Sequence, residues 1–77
     1  MRTDDRMIRL ISQWLGRHLG NAELRRGIEE SGTEGLAPGQ VSALAELAEH
    51  LDRAKEGERA KLEMIARETL EALAHSE

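Results

Sequence analysis

This sequence predicts a small all-α four-helix bundle closed by a helix 3–helix 4 hairpin, and three observations predict it. Apolar residues recur at three- and four-residue spacing, most plainly at Val41, Leu44, Leu47, Ala48 and Leu51, which lie on one face of a helix. The core material is Leu, Ile, Met, Val and Ala, with one Trp and no Phe or Tyr, a set that favours helix apart from its few β-branched members. Glycines at 20, 32, 35 and 57 punctuate the periodic stretches.

The 77 residues make one domain, 1–77. A chain this short buries only about 60% of its unfolded surface and needs good packing, staples or a partner. The absence of cysteine excludes disulfides and thiolate metal sites. Helix packing and self-association are left. The charged fraction is 34%, but the apolar fraction of 39% suffices for a core. No apolar run approaches a membrane span, and no apolar segment follows the N-terminal arginines. The expected location is therefore the cytoplasm, without a membrane partner.

Helix 1 is expected from about Asp4 to Leu19, with Thr3 as N-cap, Asp4 and Asp5 in the first turn, and Gly20 past its end. Met7, Ile8, Ile11, Trp14, Leu15 and Leu19 line its inner face, with Leu10 at the edge. Gly16 falls opposite that face as a tolerated glycine. Helix 2, Ala22 to Ser31, takes Asn21 as N-cap and offers Leu24 and Ile28 to the core. Arg25–Glu29 and Arg26–Glu30 are i,i+4 pairs on its outside. Pro38 suits the first position of helix 3, and Leu36 and Val41 are spaced as a hydrophobic staple around Ala37. Helix 3 continues to about Ala54, with Glu49–Arg53 as an outer pair. Helix 4 follows from about Glu58 to Ala74, with Leu62, Ile65, Ala66, Thr69, Leu70 and Leu73 inside and Met64 outside.

The junction at Gly57 permits two architectures. The helix 3 stripe stays in phase with helix 4 and is interrupted only at Lys55 and Glu58. A break at Gly57 gives the hairpin. A continuous helix 38–74 gives the alternative, a dimeric coiled coil. The polar seam positions beside a glycine favour the break.

Few residues offer chemistry. His18 is expected part-buried beside Leu15 and Leu19, His50 on the outer side of helix 3, and His75 in the tail. Glu46–His50 has i,i+4 spacing but no second ligand pair, so no metal or other cofactor is expected. None of Ser12, Ser31, Ser42 and Ser76 lies in a Gly-x-Ser-x-Gly turn, and the glycines at 32 and 35 lack the Lys-Ser/Thr of a phosphate loop. The carboxylates read as solvated helix faces, and no enzyme is expected.

Charge is the sharper signal. Residues 1–26 carry six arginines against three carboxylates, whereas residues 27–77 carry five Lys/Arg against twelve Asp/Glu. Arg2, Arg6, Arg9, Gln13 and Arg17 fall within about 80° of one another on helix 1. Arg25 and Arg26 follow on helix 2. These six arginines are the candidate partner-binding residues. The expected role is a non-catalytic interaction or regulatory module, a small adaptor or antitoxin-like partner, that docks a protein or a second copy of itself by helix faces. A homodimer is the expected state, and Met64 with an open edge at Leu47 and Leu10 is a candidate self-association patch. The alternative is a small nucleic-acid-binding regulator using the same arginines, with helix 2 as reader. Against it stand the acidic remainder and the inward-facing Trp14, which leaves no aromatic for base stacking.

Overall fold

Four helices form where the periodicity places them: α1 (Thr3–Leu15), α2 (Asn21–Ser31), α3 (Pro38–Arg53) and α4 (Arg59–Ala74). The structure, a computed structural model, describes residues 2–53 and 58–74. Among the described residues each helix lies against two neighbours, α1 on α2, α2 on α3, α3 on α4 and α4 on α1. The inner faces supply Met7, Ile11 and Trp14 from α1, Leu24 and Ile28 from α2, Leu44, Leu47 and Leu51 from α3, and Leu62, Ile65, Ala66 and Leu73 from α4. Thr69 is also buried; its hydroxyl donates to the Ile65 carbonyl at 2.9 Å and lies 3.5 Å from the Ala43 carbonyl of α3. Among the described residues, no helix is long and apolar enough to cross a membrane.

Helix α1 ends four residues earlier than its periodicity suggests. Gly16 is its C-cap, and Arg17 takes the left-handed conformation at φ 65°. The His18 N–H then reaches the Gln13 carbonyl at 2.8 Å and the Arg17 N–H the Trp14 carbonyl at 3.0 Å, the paired bonds of a Schellman closure. Leu19 still packs against the core, but from the turn. A Cβ at Gly16 would stand 3.2 Å from Cδ2 of the exposed His18, a contact that a small shift of that side chain relieves.

The caps also shift by one residue. Arg2, not Thr3, precedes α1, and its carbonyl accepts the Arg6 N–H at 3.0 Å. Gly20, not Asn21, precedes α2, and Glu23 closes that start by accepting the Gly20 N–H at 3.0 Å. Asn21 is thereby free for another partner: its Oδ1 accepts the Trp14 Nε1–H at 2.7 Å. In the middle of α2, Gly27 lets Leu10 of α1 come close, since a Cβ there would meet Leu10 Cδ1 at 2.9 Å.

The α3 start is held by a residue the periodicity did not single out. Gln40 is 5% exposed, on the third residue of the helix. Its Oε1 accepts the Ala37 N–H at 2.9 Å, half of a capping box. Its Nε2 donates to the Leu73 carbonyl at 3.2 Å, with the Ala72 carbonyl at 3.4 Å. One side chain thus satisfies the beginning of α3 and the end of α4, where helix carbonyls lack intrahelical partners.

This contact decides between the two architectures. The start of α3 lies on the end of α4, so the helices form an antiparallel hairpin. A continuous helix 38–74 would be about 55 Å long at 1.5 Å per residue, against a longest dimension of 35 Å. The long-helix alternative is therefore wrong for this chain. Lys55 and Gly57 themselves lie outside the described residues, as does His75.

Candidate functional site

The six candidate arginines do not form one stripe. Arg2 is exposed and pairs with Asp4 at 3.4 Å. Arg6 and Arg9 are exposed on the outer face of α1, with Gln13 beside them. Arg17 has left the helix, so it no longer continues their row. Arg25 is committed to the bundle: its Nε donates to both Asp52 carboxylate oxygens of α3 at 3.2 and 3.3 Å, and its Nη1 lies 3.6 Å from Glu29. Such half-exposed pairs contribute modestly to stability, but they occupy the guanidinium. Arg26 is exposed. Among the described residues, Arg6, Arg9, Arg17 and Arg26 have no carboxylate within ion-pair distance.

The edge beside Arg6 and Arg9 is of mixed charge. The Leu10–Gly27 contact marks the face of α2 that meets α1. Glu23 and Glu30, four residues before Gly27 and three after it, share that face. Both are exposed.

A polar cluster surrounds Trp14 at the other side of α1. The indole is fully buried. The Arg59 guanidinium lies 4.2 Å from its ring centroid, in cation–π range. Arg59 Nη2 donates to the Trp14 carbonyl at 2.8 Å, and Arg59 Nε to Glu63 Oε2 at 2.8 Å. Arg67 lies 3.8 Å from the other Glu63 oxygen. The Trp14 carbonyl thus receives the Arg17 N–H and the Arg59 guanidinium together, which satisfies it without a further turn of α1.

The Arg59 hydrogen bond holds the Glu63 carboxyl below its ordinary value. Partial desolvation opposes this, and the positive charges of Arg59, Arg67 and Arg17 reinforce it. A carboxyl depressed in the folded state contributes stability above the unfolded value, near 4.5, and loses it as pH falls through the folded value. Glu63→Gln should therefore be less stable than the parent chain at neutral pH, and the difference should shrink as pH falls below that range. Urea unfolding across a pH series measures it; a pH-independent difference would mean that the charge of Glu63 contributes nothing.

The histidines differ from expectation. His18 is exposed rather than part-buried, because α1 stops before it. His50 is half-buried, not on the outer side of α3. It lines a cleft of about 180 Å³ with Arg53, Glu58, Lys61 and Leu62, and its Nδ1–H donates to the Glu46 carbonyl at 2.9 Å. The expected open edge at Leu47 and Leu10 is absent: Leu47 is fully buried and Leu10 packs against the core. Among the described residues, Met64 is the one large hydrophobic residue left outside, 55% exposed.

The fold defines the class, a small all-α four-helix bundle. Compared with known proteins, the chain matches no family model, no curated protein and no solved structure.

Proposed function

We propose that this protein is a non-catalytic interaction module that docks an acidic protein partner on the outer face of α1 and also pairs with a second copy of itself. The observation that carries the reading is the pair Arg6 and Arg9, exposed and without a carboxylate partner among the described residues, while Arg2 and Arg25 of the same candidate set are compensated internally. Uncompensated surface charges cost little in the free protein and orient an encounter with a complementary face. The neighbouring Glu23 and Glu30 favour a protein, which can answer mixed charge, over a uniformly anionic phosphate backbone.

Affinity capture from a lysate of the native host tests this, with the parent chain and Arg6→Glu/Arg9→Glu as baits. Proteins retained by the parent, resistant to nuclease and lost with the variant, are the expected result. Retention that disappears with nuclease and falls steeply between about 50 and 200 mM salt would instead support nucleic-acid binding. Identical retention by both baits would overturn a role for the α1 arginines.

A further inference from the structure

The exposed side of α4 has an order of charge that its own helix does not explain. Lys61, Met64, Glu68 and Glu71 all face outward. Their spacing of three, four and three keeps them on one face. Of the exposed α4 charges without an ion-pair partner among the described residues, the cation Lys61 lies toward the helix N-terminus and both carboxylates toward the C-terminus; Arg67, also exposed, lies 3.8 Å from Glu63. That order opposes the helix dipole, which favours acids at the start and bases at the end. Helix α4 has no acidic residue in its first turn and no basic residue in its last. Among the described residues, Lys61, Glu68 and Glu71 take part in no ion pair. Between the two halves stands Met64, the exposed large hydrophobic residue among those described.

We propose that this face of α4 pairs antiparallel with the same face of a second copy of the chain. Antiparallel packing turns each basic half onto the partner's acidic half and opposes the two helix dipoles, whereas parallel packing sets like charge on like. With the two-fold axis at the level of Ala66, Lys61 lies opposite Glu71 of the second copy and Met64 opposite its Glu68. The symmetry makes each contact twice. The two Met64 side chains then sit about one helical turn apart across the axis, where flexible thioethers fill an irregular seam. One helix face buries less than the roughly 800 Å² per partner of a standard interface, so the dimer is weak, forms at high concentration and loosens with salt. The assignment rests on the self-association part of the proposed function and is independent of Arg6 and Arg9.

Sedimentation equilibrium from micromolar to millimolar protein at low salt tests it, with far-UV circular dichroism confirming the fold of each variant. The parent chain should dimerise reversibly. Lys61→Glu and Glu71→Lys should each weaken association by about tenfold or more, because each removes two symmetric pairs and sets like charges together. The double variant should recover most of the loss, and Arg6→Glu/Arg9→Glu should dimerise as the parent does. A monomeric parent at millimolar concentration would overturn both this pairing and the self-association reading. A dimer indifferent to Lys61 and Glu71, or a double variant without recovery, would overturn the α4 face alone.

Discussion

Trp14→Ala should lower the unfolding free energy by about 3–5 kcal/mol, the cost of emptying a fully buried large aromatic site. A domain of this length has a total stability of only about 4–12 kcal/mol, so the variant should lose a large share of it. The loss has several sources. The indole fills space between three helices. Its Nε1–H leaves Asn21 Oδ1 without a donor when removed. The Arg59 guanidinium loses the ring beneath it while still held by the Trp14 carbonyl and Glu63. Trp14→Phe separates these terms, because it keeps a ring for packing and cation–π contact but deletes the indole donor; about 1–3 kcal/mol is expected. Urea unfolding followed by circular dichroism is the measurement, since the only tryptophan reporter is removed. A Trp14→Ala chain that unfolds within about 1 kcal/mol of the parent would show that the site collapses around the missing ring.

Gln40→Glu should cost about 3–5 kcal/mol at neutral pH, the range for an uncompensated buried charge. One oxygen still accepts the Ala37 N–H, but the other meets the carbonyls of Leu73 and Ala72 with no proton to donate. The site therefore favours the protonated carboxyl and raises its titration above the unfolded value. The sign follows: the penalty is full well above the raised value and is relieved as pH falls through it, because a protonated carboxyl donates to Leu73 as the amide does. Gln40→Ala should cost about 1–3 kcal/mol, from groups left unsatisfied, without that pH dependence. Thermal melts of the three chains over a pH series check both points. A Gln40→Glu penalty constant with pH would mean that the carboxylate swings out to solvent and that the link between α3 and α4 is dispensable.

Most of the fold was legible because helix periodicity is a local property. Leu24 and Ile28, Leu44 and Leu51, and Leu62, Ile65, Ala66, Thr69 and Leu73 are all buried as their spacing implied. Gln40 was half legible: its position three residues after Ala37 is that of a capping-box partner, but nothing near it in the chain announces Leu73. Arg59 carried no signal at all, since its role depends on Trp14, 45 residues away. The arginine row misled because it assumed that α1 runs on to Leu19. Arg17 left the row when the Trp14 carbonyl found other donors, and Arg25 left the candidate surface when Asp52 came within 3.2 Å.

The sequence by itself determined four amphipathic helices, the residues that must be inside, the exposure of Met64 and the concentration of positive charge in the first third. These depend on spacing, composition and turn residues within a few positions of one another. Only the tertiary structure decided where α1 stops, that α3 turns back on α4, which arginines remain uncompensated, and that Trp14, Arg59 and Glu63 meet. Each of those outcomes is a competition among polar groups distant in the chain for the same few carbonyls and carboxylates, and its result depends on which helices lie side by side.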